Sequence, residues 1–265
     1  MHKQITSLFL VGILSGLFSL FGCAQKKHSA TKAIKATKRD TAFVAYYPTD
    51  HKLSKEERKS FSNKFLKLKG VPILEGLPFV EDYTEAKFRD EKEVAKKAVV
   101  LYGLIYVAHE EKTAKEMIEY FKKYNLWNAV SPEERQYLEL KNKTPKDNNP
   151  VSWRIENLNV LLWALGNFEK LSFPATICDF SEYKNLPDLE TDPTEWISNS
   201  KLRNTEDILN ETDLIYRIHW ATRDADLNGK PIPAGLNEDI IMERHFALNW
   251  LTMYAKAWDD ITTDT

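Results

Sequence analysis

The sequence predicts an all-α protein: a single multi-helix globular domain with at most a minor β element near its N-terminus. Three observations carry that expectation. Apolar residues recur at three- and four-residue steps in one segment after another. Several of those segments begin with a recognisable helix start. No alternating run marks a sheet, and residues 42–47 are the one plausible strand.

Each element has its own local reason. Residues 54–69 form a short helix with Phe61, Phe65 and Leu68 on one side. Residues 71–83 hold Pro72, Gly76 and Pro78 and read as extended. Asp90 followed by Glu93 is a capping-box-like start before the stripe Val94, Ala98, Leu101, Ile105 and Ala108. Residues 113–124 follow, with Met117, Ile118 and Phe121. Ser131-Pro132-Glu133-Glu134 supplies a hydroxyl cap, a first-turn proline and a glutamate three residues on. Residues 151–165 read as a helix stopped by Gly166. A long proline-interrupted connection fills 168–200, and 205–225 and 237–258 are the last two long helices.

Composition bounds the function. The chain has 265 residues, 43% apolar and 29% charged, so it is globular. A net charge of -2 argues against nucleic acid as a partner. Two cysteines, Cys23 and Cys178, rule out a disulfide framework and a Cys-based zinc site. There is no GxGxxG, P-loop or HExxH, so no cofactor and no metal is expected. Asp259, Asp260 and Asp264 cluster near the end, with no spacing that fixes oxygen ligands. Trp153, Trp163, Trp220, Trp250 and Trp258 fall on apolar helix faces and are expected to be core.

The front of the chain is different in kind. Residues 5–21 are apolar apart from small and hydroxyl residues, which suits a signal h-region better than a lasting span of about 20 residues. Leu20-Phe21-Gly22-Cys23 resembles a bacterial lipobox, with the bulky Phe21 a departure at the second position before the cysteine. The resemblance implies removal of residues 1–22 and lipidation of Cys23, hence a lipoprotein held to a membrane of the bacterial cell envelope with its body outside the cytoplasm. An uncleaved anchor and an ordinary secretory signal are the alternatives. Residues 23–50 then read as anchor and basic flexible tether, and 51–265 as the helical domain. Residues 26–69 carry a net of +9, whereas everything after Lys69 sums to -12. A basic stalk is favoured beside an anionic bilayer; plain solubility explains it equally well.

Charge in the wrong place gives the candidate site. Placing residues at 100° steps puts Arg154 and Glu156 about 200° apart among apolar neighbours. His219 and Arg223 lie on the side of Ile208 and Ile215, Glu243 with Trp250, and Arg244 with Leu251. Asp213, Arg217 and Asp224 instead read as a solvated strip, as do Glu238, His245, Asn249, Thr252 and Lys256. Buried charges are paired or neutralised. The six embedded groups therefore form an internal network, with Arg154 or Arg244 crossing to Glu156 or Glu243, or else line a polar pocket. In a pocket, arginine would grip an anion bidentately, and Glu156, Glu243 or His219 would act as acid or base.

A family resemblance rests on these same segments. They are Trp153-Arg154-Ile155-Glu156-Asn157-Leu158 running to Gly166, and Asp213-Leu214-Ile215-Tyr216-Arg217-Ile218-His219-Trp220-Ala221. Glu243-Arg244-His245-Phe246 through Leu251, and Trp258-Asp259-Asp260, continue the pattern. Upstream, Glu75-Gly76-Leu77-Pro78, Arg89 and Glu93-Val94-Ala95 match as well. Residues 53–265 thereby resemble bacterial domain-of-unknown-function family 4272. This implies one helical domain and brings no activity, substrate or cofactor. The expectation is a membrane-tethered binding or interaction module, leaning away from an enzyme, whose partner is a protein or an anionic small molecule. The alternatives are an enzyme acting on an anionic small molecule, and an inhibitor or immunity-type partner of an envelope protein.

Overall fold

The computed structural model describes Tyr47, residues 51–179, Tyr183 and residues 186–265. The lipobox-like segment with Cys23, the tether and all of 42–47 except Tyr47 lie outside them. The described residues hold eight α-helices and no strand, so the all-α single domain stands. Among them no helix is long and apolar enough to cross a membrane.

Local chemistry explains each start. Helix α1 (Lys55–Leu68) opens on a capping box: Ser54 Oγ accepts from the Glu57 N–H at 3.2 Å, and Glu57 Oε2 accepts from the Ser54 N–H at 2.9 Å. Helix α2 (Glu91–Ala108) is capped by Asp90 and is apolar on most of its circumference, which makes it the buried centre. Helix α3 (Ala114–Lys123) lies so close to α2 that a Cβ on Gly103 would sit 2.7 Å from Phe121 Cζ. Only glycine permits that approach. Helix α4 (Pro132–Glu139) follows the Ser131 capping box.

Helix α5 runs Pro145–Ala164, six residues earlier than expected. Pro150 hid this extension. It lies in the second turn, where its missing N–H forfeits only one bond, and Thr144 with Asp147 supplies the true start. A short helix α6 (Thr194–Asn199) interrupts what reads as pure connection in the sequence. Helix α7 spans Thr205–Leu227.

Helix α8 (Glu238–Leu251) ends seven residues before the expected Trp258. Met253 takes a left-handed φ of 55° there and turns the chain. Trp258 then folds back onto Phe246 and Trp250, with ring centroids 4.9 and 5.1 Å apart. The freed carbonyls are collected by Arg89, whose Nε donates to Trp250 O at 3.0 Å and whose Nη2 donates to Ala255 O and Lys256 O at 2.8 and 2.7 Å. In space α2 packs on α5, α5 on α8, α8 on α7 and α7 on α1. The embedded charges lie along that series.

Candidate functional site

The α5–α8 contact is where the charges meet. Glu156 and Arg154 leave α5 on opposite sides, so each must find a different partner. Glu156 is fully buried and accepts from Arg244 Nε at 2.8 Å and from the Cys178 backbone N–H at 2.7 Å. The rest of the Arg244 guanidinium donates to Ser172 O at 2.5 Å and Ser172 Oγ at 3.3 Å. Arg154 Nη1 lies 3.6 Å from Glu243 Oε2 and donates to Asn157 Oδ1 at 3.2 Å. Asn157 Nδ2 donates to both the Glu243 carboxylate and its backbone carbonyl. Burial raises the Glu243 carboxyl above the usual range, and Arg154 pulls it back. The Arg154 cation rests 4.8 Å from the Phe246 ring centre.

The histidine finds another histidine. His219 Nδ1 on α7 lies 2.9 Å from His245 Nδ1 on α8, with the rings nearly perpendicular. One ring donates and the other accepts, so the contact requires at least one neutral ring. Burial lowers His219 to about 4, helped by Arg223. Burial lowers His245 to about 3, helped by His219.

Three sequence placements are corrected. Arg223 is not embedded: it is half-exposed and pairs with Asp226 at 3.2 Å. The last turns of α7 bury Ala221, Thr222 and Ala225 but leave the side of Arg223 and Leu227 uncovered, so the face that is buried at Ile208 and Ile215 is not buried at Arg223. Asp213 and Arg217 are not a solvated strip. Both are buried in a bidentate pair, with Nε to Oδ2 at 2.9 Å and Nη2 to Oδ1 at 2.6 Å. Helix α1 packs on α7, and residues 71–83 reach the same side, where Pro78 O accepts from Arg217 Nη2 at 3.3 Å. His245 and Asn249 likewise are buried.

Sequence reasoning missed Lys97. It is buried on α2, donates to both Glu134 oxygens at 2.7 Å, and lies 4.0 Å from the Trp258 ring centre. Burial lowers its ammonium, with Glu134 opposing the shift. Glu134 also accepts from the Ser131 N–H at 2.8 Å, so its capping role, legible in the sequence, does not point to Lys97. Asp259 has a comparable role, accepting from the Glu133 N–H at 3.0 Å at the start of α4. An acid that would oppose the end of α8 thus serves the beginning of another helix. The Cys178 thiol is pushed well above its usual range by burial, beside Glu156.

Two cavities touch these residues. One, of about 400 Å³, is bordered by Arg154 together with Glu133, Glu134 and Asp147. The other, of about 350 Å³, lies over His245 and Tyr216, with Phe79, Glu81, Tyr254 and Asp264 around it. Among the described residues no cluster of three or more His, Cys, Asp or Glu side chains could hold a metal ion. The family described as "Domain of unknown function (DUF4272)" matches residues 58–261. No curated protein and no solved structure matches the chain.

Proposed function

Starting from the fact that this chain belongs to the DUF4272 family, whose description assigns no activity, we propose that it is a lipid-anchored binding module of the bacterial envelope. The observation that carries the binding half is the occupancy of the embedded charges. Arg244 is spent on Glu156, Arg154 on Glu243, Lys97 on Glu134 and Arg217 on Asp213. A buried pair held by extra hydrogen bonds is a structural strut, because separating it strands a charge. The anchoring half is supported by the lipobox-like Leu20-Phe21-Gly22-Cys23 and the basic tether behind it. Feeding cells an alkyne-tagged fatty acid tests the anchor. Label on the protein that disappears in Cys23→Ser is the expected result; label retained in that variant sinks it. Purified protein that converts any compound with loss of rate in Glu156→Gln or Glu243→Gln would sink the binding half.

A further inference from the structure

Resting on the binding reading above, we infer that the cavity over His245 is a site for a small organic ammonium ion. The cavity, about 350 Å³, lies between α7, α8, the Pro78–Glu81 segment and the residues after Trp258. Its border contains no lysine and no arginine, and it does contain the carboxylates of Glu81 and Asp264. Tyr216 and Tyr254 supply aromatic walls, whose π faces attract a cation, and the Phe79 ring beside them already draws Lys59 Nζ to 4.8 Å from its centre.

The hydrogen-bonding inventory of the walls points the same way. Thr212 and Thr252 each donate their hydroxyl proton to a carbonyl of their own helix, Ile208 O at 2.7 Å and Leu248 O at 2.9 Å. Asn249 donates through Nδ2 to Thr262 O at 2.8 Å. Thr262 Oγ1 donates to Asp264 Oδ2 at 2.7 Å, which leaves the other carboxylate oxygen free of that bond. The three threonine hydroxyl protons are consumed inside the protein, as is one of the two Asn249 N–H donors, so the threonine oxygens keep only lone pairs. An ammonium brings the donors and the positive charge that these lone pairs and the two carboxylates accept.

His245 adds an independent observation. Its side chain borders the cavity although the residue is only 2% exposed. Its Nδ1 is engaged by His219 Nδ1, while no hydrogen bond is made by its Nε2 among the described residues. Burial keeps the ring neutral, so it adds no competing cation to the wall. The Tyr216 ring lies 5.9 Å from it and is tilted by 48°, so the phenol and imidazole share one wall. The same arithmetic disfavours an anion, which would face two carboxylates, since the nearby cations are held elsewhere, Arg217 by Asp213 and Lys59 by Glu75 O and Leu77 O.

The test uses the full-length protein in nonionic detergent at pH 7.5 and fixed ionic strength. Titration with n-butylammonium, followed by calorimetry and thermal shift, is expected to saturate. Tetramethylammonium, which has no N–H donors, is expected to bind more weakly, and butyrate to give no shift. Glu81 and Asp264 are exposed, so Glu81→Gln combined with Asp264→Asn should leave melting unchanged. That double variant is expected to weaken butylammonium binding by about ten-fold or more. Equal shifts from butylammonium and sodium, or binding unaffected by the double variant, overturn the inference. Saturable binding of butyrate instead overturns it too, while leaving the binding reading of the body intact. Chemical conversion of butylammonium that is lost in the double variant supports the site and overturns the binding-only reading.

Discussion

Arg244 on α8 reaches Glu156 on α5 with Nε 2.8 Å from Oε2, and neither side chain is more than 1% exposed. The neighbouring residue Glu243 meets Arg154, two positions before Glu156 on the same helix. Two adjacent residues of α8 therefore clasp α5 from two sides with opposite charges. A rotation of either helix would break both contacts together, so the pairs fix the rotational setting of α5 against α8.

Replacing one member of the buried pair should cost far more than replacing both. Glu156→Gln keeps the shape but leaves the Arg244 charge without its counter-ion and the Cys178 N–H with a weaker acceptor. A loss of about 3–5 kcal/mol is expected from such a single change. Glu156→Gln with Arg244→Met should lose less than the sum of the two single variants. Urea unfolding at pH 7 reads this directly, and additive losses would show that the two groups do not act as a pair.

Arg89 should matter as much as any charged pair, although it lies in no helix. It collects three carbonyls where α8 ends and stacks on Trp250 with its cation 4.7 Å from the ring centre. Arg89→Ala should cost roughly 2–4 kcal/mol, because buried carbonyls lose charged donors. Arg89→Lys should recover only part of that, since a compact ammonium cannot span the separated positions from which Nε and Nη2 donate. Tryptophan emission should shift to the red as Trp250 and Trp258 lose their packing. An unshifted spectrum with unchanged stability would remove the capping role.

These residues also show what a sequence discloses. Face arithmetic located Arg154, Glu156, Glu243 and Arg244 because burial on a long helix is an angular property. It misplaced Asp213 and Arg217, because the cover over them comes from α1 and residues 71–83, distant in the chain. Lys97 was invisible since its partner Glu134 belongs to another helix and looked fully employed as a cap. The end of α8 was overrun because Arg89, 161 residues before Trp250, supplies the stop. The acceptor-rich cavity over His245 combines two helix faces with loops, and no single periodicity reports that.

Gly103 fixes the spacing of α2 and α3. An added Cβ would lie 2.7 Å from Phe121 Cζ and 2.9 Å from Met117 Sδ. Gly103→Ala gains about 1 kcal/mol of intrinsic helix propensity. Overpacking should cost about 1–3 kcal/mol and win, because Phe121 is fully buried and cannot swing away. Adding Phe121→Leu to Gly103→Ala should restore part of the loss in thermal unfolding. A stabilised Gly103→Ala would mean that the contact relaxes freely.

The histidine pair should make stability fall as pH falls from 7 toward 5. Both folded values lie below the ordinary 6.5, at about 4 for His219 and about 3 for His245. The unfolded chain therefore binds protons first as pH drops through 6.5. The contribution of the neutral pair is full above that value and is lost progressively as pH falls toward the two folded values. The loss is at most about 1.4 kcal/mol per histidine per pH unit. Glu243 and Glu211, whose folded carboxyls are raised by burial, Glu211 to about 7, have the opposite sign: their contributions are present at low pH and lost as pH rises through their folded values. The comparison that isolates the histidines is thus wild type against His245→Asn between pH 7.5 and 5, followed by urea midpoints. Asparagine keeps a polar atom near the Nδ1 position but does not titrate. The slope of the variant should fall below that of the wild type by one histidine's share, at most about 1.4 kcal/mol per pH unit, and equal slopes would place the proton uptake elsewhere.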